Sequence, residues 1–275
     1  MKRLAQHREQ AVESLAKPLI ALSAVLCVTE SITPLGTVDF GLLPALAFAA
    51  VCRRQKVWQW ALCALGIFAA YVIADSITPP LAAFLGSRPA LFGAVNGLYR
   101  LAFGTRLETA VLHTDISGAL ITENGIVTGA ADIYLTGSSG AAAAASRWLT
   151  GAYFGNVFLP LGAAALLWQN ADRRRRALLI AGALCAVLAG DARVITAAVL
   201  LLSPACAVLL WLMSGLGYVL AALLQSDCGY RQSASLPALI QNGKAQTVLL
   251  LVSGLLLAAL YYFIARLWRK HYGTA

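Results

Sequence analysis

Long apolar runs alternate with short basic clusters along this chain. The runs cover residues 18–33, 40–52, 57–74, 91–103, 153–168, 177–190, 194–224 and 246–267. A helix needs about 20 apolar residues to cross a bilayer. The pattern therefore predicts an all-α polytopic membrane protein with roughly eight spanning or re-entrant helices. The run 40–52 is short for a span, and 194–224 is too long for one untilted span. Pro204 and the Gly215-x-Gly217 pair are where the long run is expected to break into a re-entrant piece plus a helix.

The basic clusters are Lys2-Arg3 with Arg8, Arg53-Arg54-Gln55-Lys56, Arg173 to Arg176, and Arg266 with Arg269-Lys270. Lys and Arg beside apolar segments mark cytoplasmic loops. Both termini are therefore expected on the cytoplasmic side of a bacterial inner membrane, with an even number of crossings between successive clusters. Residues 1–17 form a segment of their own. Leu4, Ala5, Ala11, Val12 and Leu15 fall near one helical face, as in an amphipathic helix lying on the cytoplasmic surface. A merely solvated N-terminus fits the same residues. The segment is too polar for the apolar part of a cleavable signal. Residues 18–270 read as a single membrane domain.

Three regions interrupt the spans. Residues 76–89 contain Pro79-Pro80 and Pro89, so no straight helix passes through them. Residues 105–145 mix Arg106, Glu108, His113, Asp115, Glu123 and Asp132 with Gly-rich turns and a run of alanines. Residues 226–244 are polar, with Gly229, Pro237 and Gly243. Irregular backbone at membrane depth survives only inside protein or beside a water-filled cavity. Parts of the first two regions are expected to line a pocket.

Composition agrees with this pattern. Hydrophobic residues make up 60% of the chain and charged residues 12%, about half the share of an ordinary soluble domain. The net charge of +9 sits mainly beside apolar runs, so it speaks for topology and not for nucleic acid. The cysteines at 27, 52, 63, 185, 206 and 228 form no C-x-x-C pair. Most lie in apolar runs, where Cys acts as a small hydrophobe, so neither a metal site nor a disulfide framework is predicted. No Walker loop, G-x-S-x-G elbow or H-E-x-x-H motif occurs, and the sequence predicts no catalytic residue and no cofactor.

From Ile73 onward a series of short motifs stands in a familiar order. Ile77-Thr78-Pro79-Pro80 resembles a W-P-P, and Gly97-Leu98-Tyr99-Arg100-Leu101 a G-x-x-N-R-L-L. Asp132-Ile133 with Leu135-x-Gly137 is similar to G-D-I-x-R-F-x-A-G. Arg147-Trp148-Leu149-x-Gly151 followed by Phe158-Leu159-Pro160 resembles R-F-L-x-G … F-G-L-P. The stretch from Gly190 to Pro204 spans a G-I-T-E-P-I-E-F … V-A-P without a gap. Gly215-Leu216 fits T-G-L-S, and Tyr261-Tyr262-Phe263 a final helix. In this order the motifs resemble enzyme IIC, the membrane component of the bacterial sugar phosphotransferase system, in its glucose and N-acetylglucosamine branch. The resemblance implies a IIC-like domain, a homodimer and a sugar as solute. It also implies a separate IIB protein as phosphoryl donor, since the sequence stops just after the last helix.

The departures fall on the residues that face sugar in that family. The G-L-H-H register reads Arg106-Leu107-Glu108-Thr109, without either histidine. The G-I-T-E-P-I-E register reads Gly190-Asp191-Ala192-Arg193-Val194-Ile195-Thr196. Arg193 thus stands for the first glutamate and Thr196 for the second. A guanidinium cannot accept hydrogen bonds from sugar hydroxyls as a carboxylate does. Charged residues at membrane depth are costly and are candidates for function by default. The candidate substrate-binding residues are therefore Glu108, His113, Asp115, Asp132, Asp191, Arg193 and Thr196, and Asp75 joins them at the end of an apolar run. Several have a plainer reading: an interfacial position for Asp75, a Glu108–Arg106 pair or a structural His113. A salt bridge of Asp191 with Arg193, or one with Glu108, would keep charges where the family keeps a sugar. Trp148, Tyr153 and Trp168 are placed either to stack on a sugar or to join the interfacial aromatic belt. The Arg173 to Arg176 run reads as a topology anchor, compatible with anionic lipid heads.

Three functions remain open at this point. The first is sugar uptake with phosphorylation by a partner. The second is a regulatory or partner-binding role on a IIC-like scaffold that has lost its chemistry. The third is transport of a different, anionic solute, with Arg193 as counter-ion and without phosphorylation.

Overall fold

The computed structural model describes residues 10–17, 19–21, 120–122, 125–127, 149–226, 228–229, 234–241 and 246–272. The helices are α1 (residues 10–17), α2 (Leu149–Trp168), α3 (Arg173–Ala189), α4 (Arg193–Leu202), α5 (Pro204–Leu223), α6 (Leu236–Gln241) and α7 (Thr247–Tyr272). Apart from one hairpin, every described element is helical. Among the described residues three helices are long and apolar enough to cross a membrane: Leu149–Trp168, Pro204–Ala221 and Thr247–His271.

One short hairpin accompanies the helices. Strands β1 (Leu120–Thr122) and β2 (Gly125–Val127) pair antiparallel, with Leu120 opposite Val127 and Thr122 opposite Gly125. β-Branched residues on both sides of a two-residue connection favour this arrangement over a helix.

Helix α2 is the central post. Its span is 72% buried, against 39% for α5 and 33% for α7. Small residues let its neighbours approach closely, which is how helices gain packing where lipid supplies no hydrophobic drive. Gly151 faces the ring of Tyr218, Gly217 faces Phe154, and Gly254 faces Phe158. At Gly162 a Cβ would lie 2.5 Å from the Ala258 carbonyl oxygen, so α7 touches α2 through backbone. The packing pairs run α7 parallel to α2 and α5 antiparallel to it.

Between Phe154 and Phe158 helix α2 winds as a π-helix, with the Leu159 N–H reaching the Phe154 carbonyl. The cause is local. Pro160 has no N–H and its ring crowds the carbonyl four residues back, so the preceding turn widens.

Helix α3 begins four residues earlier than the apolar run, because Asp172 caps it. The Asp172 carboxylate accepts from the Arg175 N–H at 2.8 Å. Four arginines then occupy the first turn, where the helix dipole disfavours cations. Asp172 and Glu13 offset this: Glu13 lies 3.2 Å from Arg174 and 3.9 Å from Arg175. Helix α1 is thereby fixed to the bundle. Ala16 and Leu19 pack on Val194 and Ala197, and Val12 joins the main core. Of the expected apolar face, Val12 and Leu15 pack on protein, and Leu4 and Ala5 lie outside the described residues.

At its other end α3 stops at Gly190, which takes the left-handed conformation (φ 67°). The chain folds straight back, and Val194 and Ile195 press on Gly182, so α4 runs antiparallel beside α3. The run 194–224 then breaks between α4 and α5, where Ser203 leaves the helical region (φ −150°, ψ 85°) before Pro204. Gly215 and Gly217 do not break it and lie within α5.

Two of the four basic clusters, Arg173 to Arg176 and Arg266 to Lys270, meet at one end of the described bundle. The Arg176 guanidinium lies 5.3 Å over the Trp168 ring, Arg269 reaches the Leu166 carbonyl at 3.5 Å, and Gln169 bonds the Tyr262 hydroxyl. Helix α7 keeps Val248, Val252, Leu255, Leu256, Leu260, Phe263 and Leu267 exposed. An apolar face of that length suits lipid and not water.

Candidate functional site

Helices α3 and α4 form a hairpin whose tip carries charge. At about 1.5 Å per residue α3 reaches some 26 Å and α4 some 15 Å, so α4 is too short to cross a hydrocarbon core of about 30 Å. Asp191 and Arg193 sit at this tip. The Asp191 Oδ1 accepts from Arg193 Nε at 2.7 Å and from the Arg193 backbone N–H at 3.0 Å, while Oδ2 accepts from Nη2 at 2.7 Å. The side chains are 7% and 14% exposed. The pair is thus bidentate, enclosed and anchored on the first N–H of α4, the geometry in which an Arg–carboxylate contact is strongest.

Residues two apart on a helix do not face each other. These two meet because Asp191 lies in the turn after Gly190 and only Arg193 is helical. The Thr196 hydroxyl, one turn on, donates to the Ala192 carbonyl at 2.7 Å. Arg193 and Thr196 are therefore both engaged with their own hairpin: Arg193 faces a carboxylate, and Thr196 bonds its own helix.

Of the predicted site residues the structure describes Asp191, Arg193 and Thr196; Asp191 and Arg193 meet, and Thr196 lies one turn on. Asp75, Glu108, His113, Asp115 and Asp132 lie outside the described residues, as does Trp148. Tyr153 is fully buried and donates its hydroxyl to the Gly229 carbonyl at 3.2 Å. Trp168 is 38% exposed under Arg176, a position suited to the membrane interface. Cys185, Cys206 and Cys228 form no disulfide among the described residues.

Sequence reasoning missed a polar layer at the start of α2. The Thr150 hydroxyl meets the carbonyls of Ser226 at 3.2 Å and Cys228 at 3.1 Å. With Tyr153 it ties Ser226, Cys228 and Gly229 over the bundle end opposite Arg173 to Arg176. The Cys228 thiol lies 3.6 Å from the Thr247 hydroxyl, and the Ser226 hydroxyl is buried without a hydrogen-bond partner among the described residues. Asn156 adds a half-buried amide on the π-helical turn. A hydroxyl at 150 and another at 153 were visible as residues, but their partners lie more than seventy positions away.

A comparison with protein-family models finds none that matches the chain, and a comparison with curated proteins finds no match either.

Proposed function

We propose that the chain is the membrane component of a sugar permease of the enzyme IIC kind, moving its solute inward across a bacterial inner membrane with both termini cytoplasmic and a separate IIB protein as phosphoryl donor. The observation that carries this reading is the short α3–α4 hairpin. It holds Asp191 and Arg193 at its tip, and the chain breaks again at Ser203-Pro204 before α5. In transporters, interrupted helices with ionisable residues at membrane depth mark the solute path. The motif order from Ile73 to Phe263 supports the family reading. The two described basic clusters, Arg173 to Arg176 and Arg266 to Lys270, lie at one bundle end and support the orientation.

The test is uptake by proteoliposomes holding the full chain, with labelled glucose or N-acetylglucosamine outside and the general phosphotransfer proteins plus a IIB protein inside. Accumulation of the labelled sugar phosphate is expected. No accumulation of either sugar overturns the reading.

The Asp191–Arg193 pair itself favours a second reading. A guanidinium and a carboxylate joined face to face are less available to sugar hydroxyls. On this reading the scaffold persists as a partner-binding or regulatory membrane protein. It predicts that the chain co-purifies with a second membrane protein in constant ratio, and that Asp191→Asn with Arg193→Gln leaves that ratio unchanged.

A further inference from the structure

Helices α2, α3 and α7 enclose an open groove of about 630 Å³ on the bundle flank. Its floor is made of small residues, Ala165, Ala183 and Ala259, with Ile180 as a wall. Trp168 and Tyr262 also line it, and both carry a guanidinium. Arg176 stands 5.3 Å over the Trp168 ring, and Arg266 stands 5.9 Å over Tyr262 with Nη1 3.3 Å from its hydroxyl. Neither arginine forms an ion pair among the described residues, and both are exposed.

We propose that this groove is a binding site for one anionic glycerophospholipid, with an acyl chain along the alanine floor and the headgroup phosphate between Arg176 and Arg266. The groove and the arginines match the two parts of such a molecule in sequence along the bundle: apolar toward the middle, cationic at the end. The aromatic rings hold the guanidiniums in place, so less rotamer freedom is lost when a phosphate arrives. A zwitterionic lipid fills the apolar part equally well but brings its own cation to the same mouth. A second copy of the chain is a poorer occupant, because a symmetric contact would set these arginines against their own counterparts.

The experiment uses the purified full chain in a neutral detergent, titrated with dioleoyl phosphatidylglycerol or dioleoyl phosphatidylcholine and read by native mass spectrometry. One phosphatidylglycerol is expected to be retained in preference to phosphatidylcholine. The double variant R176Q/R266Q should weaken its binding roughly twenty-five-fold, about fivefold for each arginine. Ala183→Phe fills the floor and should abolish retention while the helical circular dichroism stays unchanged. Equal retention of the two lipids, or full retention by the double variant, overturns the assignment. So does an Ala183→Phe protein that keeps the lipid but changes from dimer to monomer, which makes the groove a seat for a second copy. None of these readings depends on sugar uptake.

Discussion

Asp172 and Asp191 do similar work at the starts of successive helices, in opposite surroundings. Each accepts a backbone N–H from an arginine in the first turn, at 2.8 Å and 3.0 Å, and each also meets that arginine's guanidinium. The Asp172 side chain is 54% exposed and lies 3.4 Å from Arg175. That of Asp191 is 7% exposed and makes two contacts of 2.7 Å. Water and salt screen the first pair, and exposed pairs of this type contribute little. The second pair is cut off from water, so its partners depend on each other. The same local motif is a helix cap in one place and a fixed ionic lock in the other.

The largest expected effect follows from that dependence. Asp191→Ala leaves the Arg193 guanidinium enclosed without its carboxylate and should destabilise the protein by about 3–5 kcal/mol. Removing both charges with Asp191→Ala and Arg193→Leu should restore much of this, because an apolar pair needs no partner. Thermal unfolding in detergent measures both. If the single variant costs no more than the double, the lock is not the reason these charges coexist.

Gly190 sharpens the same point from the backbone side. At φ 67° a side chain is strained, and a Cβ would lie 2.7 Å from the Ala234 carbonyl oxygen. Gly190→Ala should cost about 2 kcal/mol and displace Asp191, which follows it directly. Part of the Asp191 contribution is then lost as well, so combining Gly190→Ala with Asp191→Ala should cost less than the sum of the two. Full additivity, read from the same unfolding curves, would separate the turn from the lock.

Much of this architecture is legible in the residues, and the illegible parts share a cause. The break at Pro204 could be read because proline lacks an N–H, whatever surrounds it. The glycines at 215 and 217 carry no such necessity. In place, Gly217 admits Phe154, so tertiary packing and not helix breaking explains it. Helix α3 starts at Arg173 because a capping aspartate outweighs four misplaced cations, a balance that apolar periodicity does not see. The β1–β2 hairpin had its signal in Leu120-Ile121-Thr122 and Gly125-Ile126-Val127, short runs easily lost among helix-length ones. An Asp191–Arg193 bridge was among the readings open in the sequence. Its two-toothed geometry was not, since it needs the left-handed turn at Gly190. The clamps of Thr150 and Tyr153 join segments far apart in the chain, and no local pattern encodes them.

The smallest effect belongs to Asp172. Its carboxyl is held below the ordinary value of 3.8, first by the Arg175 backbone N–H and further by the charges of Arg175 and Arg174. A lowered folded value means that the ionised form is favoured by folding. The contribution is therefore complete above pH 3.8 and is lost as the pH falls through the lower, folded value. Asp172→Asn should flatten that acid limb slightly while leaving neutral-pH stability nearly unchanged, since asparagine also caps a helix. Raising the salt concentration at pH 7 should shrink the difference between Asp172→Ala and the parent protein, because exposed charges are screened. The cost of Asp191→Ala should hardly move in the same titration. Equal salt sensitivity at the two positions would mean that water reaches both tips alike, and the contrast between cap and lock would be lost.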